Sequence, residues 1–301
     1  MKLTHYLLAI LVAMIWGFNF IFVKIGLDQM SPYMLCAVRF ILASIPLVFF
    51  IKPPAVHFKW VITYGIIMFV LQFLLLFLGI YAGMSPGLAS LIAQVQIFFS
   101  MFYAAILWRE IPSVWQIAGA IVAFSGIGLV AMHLDGNITV IGFIFVLGAA
   151  AVWALGNIIT KTIGKVNIMS LVVWGSFVAC FPMILLSLVM DGSSGIVASF
   201  HRLDWQGIIA ILFIVYASTH VGYGIWSLLL SRYTVSTVVP FSLLIPVFGI
   251  LSSVIVLNEP LQTWKVVAGI LVIGGLFVNL LGAKLYKGLI GEQNSSKKST
   301  S

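Results

Sequence analysis

Polar side chains stranded inside long apolar stretches are the residues of this sequence that can do chemistry, because burial in hydrocarbon is costly and each needs a partner. Arg39 stands in such a stretch, LCAVRFILA, about seven residues from its start or roughly 10 Å of helix rise. A planar guanidinium suits a carboxylate, so Arg39 is read as the group that receives a substrate carboxylate. The competing use is snorkelling or donation to backbone carbonyls of a neighbouring helix. Trp16, Asn19 and Phe20 fall at i, i+3 and i+4, and Trp153 and Asn157 at i and i+4, each set on one helix face. An indole beside an amide can narrow a passage and hydrogen-bond a zwitterion; bonding between helices is the other use of a membrane amide. Gln72, Gln94 and Gln96 add further amides. Gln94 and Gln96 project about 200° apart on a helix, so one lines a path while the other ties helices together. His220, Tyr223 and Ser227 follow at i, i+3 and i+7. With its side chain titrating near neutrality, His220 is the candidate for proton coupling, against the alternative of a neutral hydrogen-bonded core histidine.

The acidic residues exclude other chemistries. Asp28, Glu110, Asp135, Asp191, Asp204, Glu259 and Glu292 all fall at segment ends, in connections or in the tail. A carboxylate proton relay therefore has no candidate, and neither does a carboxylate cage for a divalent cation. Cys36 and Cys180 lie singly in apolar blocks and read as small buried hydrophobes. No catalytic residue, metal or cofactor is expected.

Such residues must be positioned by membrane helices. The chain has 301 residues, 62% hydrophobic and 7% charged, against about 25% charged in soluble domains. Ten stretches are long enough to span a bilayer, which takes roughly 20 residues. They cover about 4–24, 32–51, 60–80, 87–108, 112–132, 139–160, 168–190, 205–229, 235–257 and 261–283. The first is too long for a secretory signal and is followed by others like it. The net charge of +8 comes from scattered residues, so nucleic acid is not a partner. With the N-terminus inside, Lys2, Lys52, Lys59, Arg109, Lys161, Lys165, Arg232, Lys284, Lys287, Lys297 and Lys298 face the cytoplasm. Lys24, Arg202 and Lys265 face outward, so the positive-inside rule places both termini in the cytoplasm.

The chain also repeats. Gly83–Glu110 and Arg232–Glu259 are blocks of equal length, each ending in an acid soon followed by Pro, Trp and an Ala-Gly pair. Trp16 precedes Lys24 by the same interval as Trp153 precedes Lys161. Five helices plus five, an odd number per half, requires the halves to insert upside down relative to each other. That is a design of secondary transporters, with a substrate site near the midplane. The expected division is 1–137, 138–285 and a disordered cytoplasmic tail over 286–301. Glu110 and Glu259, closing matched helices, read as capping or gate residues. Pro240 and Pro246 bend the ninth segment, and the Gly79, Gly83, Gly87 series allows close helix approach.

Ordered blocks in nearly every segment carry a family resemblance. They include WGFNFIFVKIGL (16–27), Arg39-Phe40, GMSPGLASLIAQVQIFF (83–99), GNIITK (156–161), MSLVVW (169–174), VGYGIW (221–226) and VVPFSLLIPVFG (238–249). Over about residues 8–283 the sequence resembles the EamA-like drug/metabolite transporter superfamily, and within it the O-acetylserine/cysteine exporters. The resemblance implies export of small zwitterionic amino acids or derivatives across a bacterial inner membrane by alternating access. Efflux of other amino acids, metabolites or drugs is the nearest alternative, and a non-transporting membrane scaffold the alternative of another class. His220 departs from the exporters' pattern, so the resemblance assigns it no role.

Overall fold

Ten apolar stretches become ten helical spans: α1 Leu3–Gln29, α2 Pro32–Phe49, α3 Phe58–Tyr81, α4 Pro86–Trp108, α5 Val114–Ala131, α6 Val140–Ile163, α7 Ile168–Met190, α8 Trp205–Arg232, α9 Val239–Leu257 and α10 Thr263–Gly282. The computed structural model describes residues 1–134 and 138–299, with side chains as far as residue 282 apart from 235 and 236. No strand occurs among the described residues. Asp135 and the expected division at 137 and 138 lie at or within the undescribed stretch. Beyond α10 the backbone stays helical to Ser299, where the sequence reading expects disorder; the side chains of Lys284, Lys287, Glu292, Lys297 and Lys298 are outside the described set.

Helix starts follow from local chemistry. Ser31, Ser85, Ser113, Thr139, Asn167 and Asp204 each accept a first-turn backbone N–H, and Pro32 and Pro86 sit where a missing N–H costs nothing. Helix ends repeat as well: Arg109 and Asn258 close α4 and α9 in the left-handed conformation at φ 56° and 52°, each just before Glu110 or Glu259. The link between α7 and α8, outside the stretches read as spans, contains a short helix, Gly192–Arg202.

The spans pack as the repeat demands. α1 lies against α8 and α9, as α6 lies against α3 and α4. The α2–α7, α4–α9 and α5–α10 contacts each join a helix to its own counterpart, so these principal contacts are kept when the halves are exchanged. Small residues let backbones touch: a Cβ on Gly119 would sit 2.5 Å from the Gly275 carbonyl on α10, and one on Gly17 would sit 2.6 Å from Phe248 Cβ on α9.

Four spans depart from α-winding in two matched pairs, α3 with α8 and α4 with α9. α3 is π-helical over Gly65–Leu71 and α8 over Phe213–Gly222. α4 is interrupted at Gln94 and Val95, and α9 begins as a 3₁₀ turn, Val239–Leu243, around Pro240. Such interruptions leave backbone groups to be satisfied by neighbouring helices, and they occur at functional depth in membrane proteins.

Candidate functional site

Arg39 lies on the helical part of α2 and is 2% exposed. Its Nη2 donates to Thr219 Oγ1 of α8 at 3.2 Å. The guanidinium carbon stands 3.8 Å from the centroid of the Phe73 ring on α3, with the Phe40 and Phe77 rings at 5.7 and 5.9 Å. Nε and Nη1 have no hydrogen-bond partner. The ion pairs among the described residues are Lys24–Asp28, Lys161–Glu110 and Lys265–Glu259, so no carboxylate answers this charge. Stacking on a desolvated ring recovers about 2 kcal/mol, whereas burying an ion costs several. The site is a cation built without its anion.

The π-helical stretch of α8 gathers the neighbours. Ser218 offers its carbonyl to Trp16 Nε1 on α1 at 3.0 Å, and the next residue, Thr219, holds Arg39. The Trp16 ring meets Tyr223 edge-on at 5.6 Å and Trp226 at 5.2 Å. Asn19 and Gln72 are 6% and 2% exposed, and their Oδ1 and Oε1 have no partner. Trp16, Arg39 and Tyr223 thus converge on one segment of α8. Gln94 is buried as well, 2% exposed.

The remaining candidates form a separate group. Asn157 Nδ2 on α6 donates to Gln96 Oε1 at 2.6 Å and to Ser100 Oγ at 3.2 Å, both on α4, and Trp153 is half-buried one turn earlier. His220 stands apart, its ring edge-on to Tyr216 at 5.6 Å and both ring nitrogens buried without a partner. A regular α-helix would put His220 and Tyr223 on one face, but the wider π turn resets the phase. Thr219, not His220, reaches Arg39. Sequence reasoning missed Thr219, the Ser218 carbonyl and Phe73. The signal for the first two was present in Ser218-Thr219-His220, three polar residues together in the apolar stretch of α8.

The repeated acids differ in setting. Lys265 bonds Glu259 at 2.7 Å with side chains 10% and 14% exposed, and Ser253 also donates to Glu259. Burial pushes the Glu259 carboxyl up, but hydrogen bonds from Lys265, Ser253 and Ser85 and the charge of Lys265 outweigh it, leaving the group below the usual carboxylate range. Glu110 bonds Lys161 at 2.7 Å with both side chains about half exposed, and the Lys161 ammonium lies 4.1 Å from the Trp108 ring. Among the described residues no three His, Cys, Asp or Glu side chains cluster to hold a metal ion.

Known proteins share this arrangement of helices. The sequence profile of the EamA-like transporter family matches residues 3–132 and again 140–281. A protein of Escherichia coli (strain K12) described as a "probable amino-acid metabolite efflux pump" is 37% identical over 93% of this chain and 96% of its own length. A protein of the same description from Salmonella typhimurium is 38% identical over 92% of this chain and 95% of its own. A solved crystal structure superposes with a TM-score of 0.64 over 93% of this chain and 98% of its own, at 16% identity, which shows the fold alone.

Proposed function

The chain belongs to the EamA-like transporter family, and from that premise we propose that it exports amino-acid metabolites, taking the cargo's carboxylate on Arg39. As a ten-span relative of bacterial efflux proteins, it is a multi-pass protein of the bacterial inner membrane. The observation that carries the proposal is the buried guanidinium whose Nε and Nη1 have no partner. A carboxylate docked there supplies both the missing charge and two acceptors. Asn19 Oδ1 and Gln72 Oε1 are neutral acceptors for an ammonium group. A zwitterion therefore matches the unspent hydrogen-bonding capacity of the core, and cysteine and O-acetylserine are the cargoes the sequence blocks favour.

Transport by alternating access follows from two inverted halves, 1–137 and 138–285, rocking about a site between them, with both termini cytoplasmic. The α2–α7, α4–α9 and α5–α10 contacts, each between matched helices, support that reading. Counterflow of labelled cysteine, O-acetylserine and a panel of other amino acids into liposomes holding the purified protein tests it. Saturable exchange is expected for small zwitterions, and its absence with a folded protein would remove the proposal. In the same assay Arg39→Gln should abolish exchange. Arg39→Lys should raise KM, because a point charge does not reproduce the fork.

A further inference from the structure

We propose that Thr219 is the positioning residue of the carboxylate site, an inference that rests on Arg39 being the carboxylate receptor. Thr219 Oγ1 has two neighbours, and they fix its role. Its own proton goes to the Ile214 carbonyl at 3.0 Å, five residues back along the π-helical turn. The oxygen is left with acceptor capacity only, and it spends that on Arg39 Nη2 at 3.2 Å. A hydroxyl so committed has no proton to give a carboxylate, so Thr219 acts through Arg39. It pins one end of the guanidinium while the Phe73 ring supports its face at 3.8 Å, and Nε and Nη1 stay free for the cargo.

The winding makes this possible. Thr219 is 2% exposed in a segment where the same turn directs the Ser218 carbonyl to Trp16. The π-helical stretch therefore ties α8 to α1 and α2 through adjacent residues, and carboxylate binding at Arg39 is transmitted directly to α8. Without the hydroxyl, Arg39 keeps its charge but loses its orientation.

The test is counterflow of labelled cysteine with the full-length protein in liposomes, with unlabelled cysteamine, which lacks the carboxylate, as competitor. Thr219→Val keeps shape and removes the acceptor. It should raise KM for cysteine about tenfold, the worth of a hydrogen bond to a charged group, with the maximal rate within about twofold of wild type. The preference for cysteine over cysteamine should shrink by a similar factor. Thr219→Ser should restore both. Wild-type KM and selectivity in Thr219→Val, while Arg39→Gln is inactive, would overturn the role of Thr219 and leave the Arg39 site standing. Wild-type exchange by Arg39→Gln would overturn the underlying reading instead. A lowered rate at unchanged KM and selectivity, shared by the Val and Ser variants, would mark Thr219 as packing and overturn the proposal.

Discussion

Arg39 is the residue on which the proposed recognition turns, because it violates the usual conditions of burial. A guanidinium has five donors, and this one has a single hydrogen bond, to a neutral hydroxyl. Aromatic rings on α2 and α3 make the environment tolerable without making it complete. Removing the charge should therefore relieve the resting protein even as it destroys recognition. Arg39→Met is expected to leave stability unchanged or raise it by about 1 kcal/mol, since apolar replacement of buried ions is often stabilising. Thermal unfolding in detergent checks this; a large loss of stability would mean that Arg39 is a structural tie. The residue itself was legible in sequence as a lone charge in an apolar stretch. Thr219 was signalled by the polar run Ser218-Thr219-His220, but its pairing with Arg39 was not, because that contact comes through a π turn, and winding of that kind leaves no periodic trace.

At the scale of elements, the ends of α4 and α9 show one sequence device in two settings. Glu259 is enclosed by Ser253, Ser85 and Lys265, whereas Glu110 has an exposed lysine. An exposed pair contributes between nothing and 1 kcal/mol, but a lone survivor of a buried pair costs about 3 kcal/mol or more. Lys265→Met should thus destabilise the protein far more than Lys161→Met, as read by melting in detergent. Because the folded-state carboxyl of Glu259 lies below its ordinary value, its stabilisation is complete above the ordinary carboxylate range. It is lost as pH falls through the lowered folded value, and Glu259→Gln should flatten that acid limb. Helix packing makes its own prediction: Gly119→Val must separate α5 from the Gly275 backbone, at a cost of about 1–3 kcal/mol. Helix positions were readable from hydropathy, and small-residue spacing marked close approach without naming the partner helix. The surface helix Gly192–Arg202 was not, since it is short, polar and outside the spanning pattern.

For the whole molecule, two features of the sequence determine most of the architecture. Long apolar stretches give ten spans among the described residues, and the blocks ending in Glu110 and Glu259 fall on α4 and α9, which pack against each other. Orientation rests on the basic residues, and it predicts that reporters fused to either end are active only in the cytoplasm; a periplasmic signal from either would reverse the topology. The grouping of the candidates into an Arg39–Trp16–Tyr223 set and a Gln96–Asn157 set could not be read in advance. It depends on which helices touch, which sequence periodicity does not encode.

The buried guanidinium is proposed as the receptor for a cargo carboxylate. The most direct measurement of that role is competition between cysteine and cysteamine for exchange in liposomes by the wild-type and Arg39→Gln proteins. Wild type should take cysteine and exclude cysteamine, and Arg39→Gln should exchange cysteine no better than cysteamine. A wild type indifferent to the carboxylate, or an Arg39→Gln protein that still prefers cysteine, would contradict it.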